Sequence, residues 1–522
     1  MPEWLKDAVF YEIYPQSFND SNNDGIGDIA GMMEKLDYVK SLGCNALWLN
    51  PLFDSPFKDA GYDVRDYKKV AERYGTNEDL VRFISAAHEK GIRVLLDLVP
   101  GHTSEEHEWF QKSREVEVNE YTDRYVWTNG AFVGIKDHPY IAGESRRDAA
   151  YMLNFFKAQP ALNYGWGVVE EPWQKAVDDP ACIATREDMK DIMRFWLDQG
   201  CDGFRVDMAD SLVKSDDEVK HHTAAIWRNV REMLDEEYPE AAIVAEWSNP
   251  YSCVTLGGFH MDFYLDHWNN GYNTLARDYE PNPKGDNSFF RKGSKHDITR
   301  FLDDYMPKYH ASKDYGYISM FTCNHDTPRP ARTLSVRELK LFYAFIFTMP
   351  GVPFLYYGDE IGMPYLENLV SVEGGFHRTG SRSPMHWNHG KNYGFSEADE
   401  IYIRQAENSV CVEDQESDPD SLLNTVRALI QLRHSIEDLQ ADADFNVIYG
   451  EKEKLPFVYA RGNHVLVVNP DTESHSVQLP LTKKKLVYAI GEVTLDGTIL
   501  KAEPQSFAVF EAPAAHSTSI AK

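Results

Sequence analysis

Eight short apolar runs, spaced along the first two thirds of the chain and separated by segments of helical periodicity, constrain the fold more than any other feature. AVFYEIYP (8–15), NALWLNP (45–51), GIRVLLDLVP (91–100), the run at 203–207, AAIVAEW (241–247), MDFYLD (261–266), ISMFTCNHD (318–326) and VPFLYYGDE (352–360) read as strands. Helical spacing falls at 29–42, 77–90, 186–200, 216–237, 335–348 and 421–435. In the first of these, Ile29, Met32, Met33, Leu36, Tyr38, Val39 and Leu42 form one stripe. Near-continuous apolar strands alternating with amphipathic helices build a parallel sheet covered on both faces. Eight such units predict a (β/α)8 TIM barrel.

The rhythm breaks twice. Residues 103–171 are polar, aromatic and without a clear period, too long for a bare loop, and are expected to form an insert domain after strand three. Residues 364–420 also lack periodicity and read as an extended loop after the last strand. Beyond about residue 440 helices give way to short alternating strands such as FVYARGNHVLVVNP (457–470), the pattern of an antiparallel β-sandwich. The expected organisation is barrel 1–102, insert 103–171, barrel 172–440 and C-terminal domain 441–522.

Composition narrows the partners. A net charge of −30 argues against nucleic acid or an anionic membrane. An aromatic content of 13% mostly fills cores but also suits sugar binding. Six scattered cysteines with no CxxC pair read as reduced, mostly buried thiols. The first residues, MPEWLKDAVFYEIYPQSF, carry neither a basic start nor a long apolar core, and no stretch approaches a membrane span. A soluble cytoplasmic protein acting on a small molecule is expected.

The chemistry centres on DGFRVDMAD (202–210). Alternation along Phe204–Arg205–Val206–Asp207 puts the cation and the anion on one side of a strand. A buried strand carries such a pair at a cost, and in parallel barrels the C-terminal strand end is where sites lie. Glu246 ends strand five, Asp326 ends strand seven, and Asp97 and His102 end strand three. Acids converging on one rim repel each other, so at least one should hold its proton to high pH. An ionised and a protonated carboxyl side by side are the equipment for glycoside hydrolysis.

FYEIYPQSF, GCNALWLNP, GYDVRDY, DLVPGHTS, GFRVDMAD, AEW, NHDTPR, GVPFLYYGDEIGM and SRSPMHW occur in that order. Together they make the chain resemble the α-amylase superfamily (glycoside hydrolase family 13), in its oligosaccharide-acting α-glucosidase, oligo-1,6-glucosidase and trehalose synthase-like branch. The resemblance implies Asp207 as nucleophile, Arg205 as the cation that keeps it ionised, Glu246 as general acid then base, and Asp326 as the third acid. It implies His102 and His325 as partners of sugar hydroxyls, and Asp59 and Tyr62 as pocket floor and stacking platform. Arg378 and Arg382 match the arginine pair of a closing loop, with Phe155 and Gln159 contributed by the insert. No organic cofactor is implied. The expected activity is retaining hydrolysis of terminal α-linked glucose from short oligosaccharides or α-glucosides, with a transglucosylase or isomerase as the alternative. A non-catalytic relative is disfavoured because all three acids are kept.

DSNNDGIGD (20–28) places oxygen donors at Asp20, Asn22, Asp24, the Ile26 carbonyl and Asp28, as in the first positions of an EF-hand loop, with Gly25 at the turn. The twelfth-position Glu is missing, since Gly31 stands there. With the resemblance, this predicts a structural Ca²⁺ (or Mg²⁺) clip, the bland reading being an Asx-rich turn. Gly101 and Ala161 stand where relatives often have Asn and Asp, which predicts that the α-amylase calcium at the insert junction is lacking. Met208, next to the expected nucleophile, leaves linkage preference open.

Overall fold

The computed structural model describes residues 1–279, 283–374, 379–480 and 484–511. Eight parallel strands form one sheet: β1 (Phe10–Ile13), β2 (Ala46–Leu49), β3 (Arg93–Leu98), β4 (Gly203–Val206), β5 (Ala242–Ala245), β6 (Met261–Phe263), β7 (Tyr317–Ser319) and β8 (Phe354–Tyr356). From β1 to β7 each pairs with the next, and β1 also pairs with β8. The remaining seam closes just past β7, where Phe354 N donates to Met320 O at 2.9 Å and Thr322 N to Phe354 O at 2.9 Å. The sheet is therefore the expected barrel. Its strands are buried along nearly their whole length, as their apolar composition requires.

Register aims the chemistry inward. Asp97 on β3 lies opposite Arg205 on β4, and Arg205 opposite Val244 on β5. Asp207 and Glu246 are the first residues beyond β4 and β5, and their amides extend the ladder, to Leu98 O at 2.8 Å and Val206 O at 3.0 Å. Asp326 differs: β7 ends at Ser319, so this acid sits on the turn that follows rather than at the strand end.

Three helices depart from the periodicity, each for a local hydrogen-bonding reason. The stripe at 29–42 is two helices, Ile29–Glu34 and Leu36–Leu42, because Asn19 Nδ2 takes the Gly31 carbonyl and Lys35 N turns to Met32 O. The helix expected from 186 begins at Pro180, capped by the Asp179 side chain on Ala181 N, with proline in the first turn where its missing N–H costs nothing. The helix expected from 216 begins at His221: Lys220 is left-handed (φ 60°), while Asp216 and Asp217 fold back to accept the His221, His222 and Thr223 amides.

Segment 103–171 is not bare loop. It holds a helix (Glu108–Ser113), a two-stranded ribbon (Tyr140–Ala142 with Ala150–Met152) and a small core of Val126, Ile135, Met152, Ala161 and Trp166. Beyond the helix Leu422–Ser435, a five-stranded antiparallel sheet faces a three-stranded one across Val458, Val467, Leu500, Ala508 and Phe510. The alternate residues Phe457, Tyr459, Leu466 and Val509 join the main core, so the five-stranded sheet is apolar on both faces. All six cysteines are buried and unpaired. No helix among the described residues is long and apolar enough to cross a membrane.

Candidate active site

Arg205 is the centre of the barrel mouth. Its side chain is 1% exposed, and its Nη1 donates to Asp97 Oδ1 at 2.9 Å and to Asp207 Oδ1 at 3.1 Å. Nη2 meets Glu246 Oε2 at 2.9 Å, and the guanidinium lies 5.0 Å over the Trp48 ring. One cation among three acids leaves an excess of negative charge, so the cluster holds a proton. Burial raises the Asp97 pKa against the pull of Arg205. Burial likewise raises Asp207 well above the usual carboxylate range, with Glu246, Asp97 and Asp326 adding to it and Arg205 opposing. The expectation of a raised acid is met, but it falls on Asp207 within a coupled cluster, so the proton belongs to the group as a whole.

The chain bends sharply beside this cluster. Met208 takes a left-handed conformation (φ 40°), an unfavourable one for a side chain of its size, and its N–H donates to Glu246 Oε2 at 3.0 Å. That turn couples the positions of Asp207 and Glu246 through one peptide unit.

Asp326 belongs to a second charged group. His325 Nε2 is 3.0 Å from its Oδ2, and Arg382 Nη2 donates to its Oδ1 at 2.8 Å. The carboxylate is half exposed to the pocket. Its place deep in the barrel mouth works against ionisation, yet His325, Arg382 and Arg205 together hold its pKa far below normal. His325 is itself buried, which disfavours its charge, but Asp326 and Glu12 outweigh that and raise it to about 9. Its Nδ1 lies 3.0 Å from Glu12 Oε1, and its ring stacks near those of Tyr62 (5.5 Å) and Tyr14 (6.2 Å). The Tyr62 hydroxyl, 2.8 Å from His325 Nε2, donates to Asp97 Oδ2 at 3.1 Å and so joins the two groups.

These groups open into a cavity of ≈340 Å³ lined by Asp59, Tyr62, His102, Phe155, Phe156, Asp207, Met208, Glu246, Asp326 and Arg382, within the size range of small-ligand pockets. Gln159 stands behind the wall, donating to Asp59 Oδ2 at 2.5 Å. His102 is kept neutral, its pKa lowered to about 4 by burial, between Tyr62 O at 2.9 Å and Asn154 Nδ2 at 2.8 Å. Arg205 and His325 are within the network but behind the lining. Arg378 lies outside the described residues.

Several residues were not singled out from sequence. Phe156 lines the pocket, and Glu373, 2% exposed, receives the Tyr14 hydroxyl at 2.5 Å and Arg382 Nη1 at 3.3 Å. Glu12 had a readable signal, being an acid inside the otherwise apolar run AVFYEIYP. Glu373 had none, since it falls in the aperiodic stretch.

Loop 20–28 is held by its own amides. Asp20 Oδ1 accepts from Asn22 and Asn23, and its Oδ2 from Gly25 and Ser396 Oγ. Asn22 accepts from Asp24 N, Asp24 from Ile26 N, and Asp28 from Ser21 and Gly31. The all-oxygen donor set fits the chemistry of a hard cation. Asp20, Asp24 and Asp28 do not by themselves bring three carboxylate oxygens within 4.8 Å of one another, so Asn22 and the Ile26 carbonyl would share in holding an ion.

A family model for the α-amylase catalytic domain matches residues 12–442. The chain belongs to the α-amylase family. It is therefore an enzyme of the glycoside hydrolase type. Trehalose synthase/amylase of Mycolicibacterium smegmatis is 33% identical over 485 residues, 82% of this chain and 76% of that protein. Oligo-1,6-glucosidase of Heyndrickxia coagulans is 28% identical over 581 residues, covering 98% and 99%. Among solved structures, an isomaltulose synthase of Erwinia rhapontici in complex with sucrose superposes with a TM-score of 0.80 at 25% identity, covering 98% and 100%.

The His325 ion pairs give a pH test. Its pKa is raised, so the Asp326–His325 pairing is complete below the ordinary histidine value and is lost as pH rises through about 9. An alkaline limb of kcat/KM near that pH is expected on any α-glucoside turned over. Replacing Glu12 by Gln removes one of the charges that raise His325, so the limb should move to lower pH. A limb that stays in place in Glu12→Gln contradicts the assignment.

Proposed function

We propose that the chain is a retaining α-glucosidase that takes the terminal α-linked glucose of a short oligosaccharide or α-glucoside. The observation that carries this reading is a single guanidinium, Arg205, bonded to both Asp207 and Glu246 behind the wall of a ≈340 Å³ pocket. Two carboxyls on one short fork suit the roughly 5–5.5 Å separation of a double displacement better than the wider gap of an inverting pair. In the first step the cluster's shared proton passes from Asp207 to Glu246 and on to the leaving oxygen, while Asp207, left ionised beside Arg205, attacks the anomeric carbon. In the second, Glu246 draws a proton from water, which attacks the glucosyl–Asp207 ester and restores the acid. Asp326, kept anionic by His325 and Arg382, receives sugar hydroxyls and favours positive charge at the anomeric centre. Asp59, Tyr62 and neutral His102 grip the non-reducing end, and Phe155 and Phe156 border the entrance.

A second reading, transfer of the glucosyl group to another sugar, is favoured by one observation: trehalose synthases are among the relatives sharing 33% identity. Both readings use the same acids and differ in whether water or a retained sugar resolves the intermediate. Incubation with maltose, isomaltose, sucrose and trehalose, followed by separation of products, decides between them. Free monosaccharides with no new disaccharide support hydrolysis, whereas a new disaccharide at the expense of the old one sinks it. In either case Asp207→Asn should lower turnover by about 10⁴-fold or more with the fold intact.

A structural calcium (or magnesium) in loop 20–28 is part of this proposal and takes no part in the chemistry. Asp24, the exposed acid of the loop, would be a ligand while its Oδ1 also accepts from Ile26 N. Calcium should raise the melting temperature of the wild type but not of Asp24→Ala. An equal response in both removes the ion from this loop.

A further inference from the structure

His389, Cys411 and Glu413, in the aperiodic stretch after β8, bring one ligand atom each within 4.8 Å of one another, the only such group of His, Cys, Asp and Glu among the described residues. The site is separate from the catalytic pocket, which none of the three lines. We propose that these side chains, with Asp414, form a binding site for Zn²⁺ or a similar borderline-soft divalent ion.

Geometry argues first. Cys411 Sγ and His389 Nε2 are 3.7 Å apart. In a tetrahedral zinc site, a sulfur at about 2.3 Å and a nitrogen at about 2.1 Å subtend about 3.6 Å. Asp414 bridges the same two atoms, with Oδ1 2.7 Å from His389 Nε2 and Oδ2 3.2 Å from Cys411 Sγ. The Cys411 thiol donates to Asp414 Oδ2 where an ion would sit. On binding, the Cys411 thiol proton is released, and the Nε2 proton leaves the ring or moves to Nδ1. Asp414 is freed to complete the coordination or to orient it. A thiolate–imidazole–carboxylate set selects zinc over calcium or magnesium.

The surroundings supply the rest. Glu413 is steered by the backbone, its Oε2 accepting from His389 N at 3.2 Å. Cys411 is buried, while His389 is exposed and also lines a 610 Å³ cavity, which gives the ion a path in. The two halves are already registered, with Val412 N on His386 O and Glu413 N on Trp387 O, both at 3.0 Å. Trp387 in turn donates to Phe18 O at 3.0 Å. An ion here would rivet the segment that leads from Arg382 to the turn at 411–414.

The test uses the whole chain. Zn²⁺ titrated against a chromophoric chelator should bind at one equivalent and raise the melting temperature. Co²⁺ should give a near-ultraviolet thiolate-to-metal band that Cys411→Ser abolishes and His389→Ala weakens. Asp414→Asn should loosen binding by about 10–100-fold. Absence of stoichiometric binding, or an unchanged cobalt band in Cys411→Ser, overturns the proposal. Should either variant fail to fold, alkylation of the wild type mapped by mass spectrometry serves instead. Zn²⁺ must protect Cys411, and no protection is the contrary result.

Discussion

A guanidinium buried among three carboxylates is the constraint around which this molecule is arranged. Arg205 has almost no access to water, and Asp97, Asp207 and Glu246 take its two terminal nitrogens from three adjacent strands, while its buried Nε finds no partner. Removing one partner from a buried ionic group of this kind costs about 3–5 kcal/mol, because the remaining charge is left uncompensated. The parallel register supplies the positions: a barrel strand delivers its last residues to one rim regardless of how far apart they lie in sequence. The surplus negative charge is also what makes the cluster hold a proton, the one ingredient a glycosidase must carry into the reaction.

A second charged group keeps the third acid different from the first two. Asp326 faces two cations, His325 and Arg382, and is held anionic, whereas Asp207 faces one cation shared with two other acids and is pushed the other way. Identical carboxyl groups thus acquire opposite proton affinities from their neighbours alone. Tyr62 couples the two groups through its hydroxyl while its ring forms part of the pocket wall, so shape and electrostatics are set by one side chain.

The barrel was legible because its strands are apolar on both faces and its helices are not, a contrast that survives without any tertiary information. The acids were legible because a charge inside an apolar run has few bland explanations. Helix ends were less so: Asp179–Pro180 and Asp216–Asp217 begin helices through side-chain caps that a stripe of apolar residues does not register. The second ring of support was mostly hidden. Glu373 reaches Tyr14 and Arg382 from a stretch with no period, and nothing in its sequence neighbours marks it. Glu12 was open to the same argument as Asp207 and needed only to be applied to the first strand. The metal loop reads as a donor pattern, yet pattern alone does not distinguish oxygens that gather round an ion from oxygens that close an Asx turn.

The account stands on Asp207 being the atom donor that joins the sugar. A glucosyl fluoride carrying a ring fluorine slows breakdown of a glycosyl-enzyme, and digestion followed by mass spectrometry then locates the adduct. The account predicts one added sugar, on the peptide containing Asp207, its attachment lost in Asp207→Asn. Inactivation with no covalent sugar, or a sugar on any other carboxylate, would contradict it.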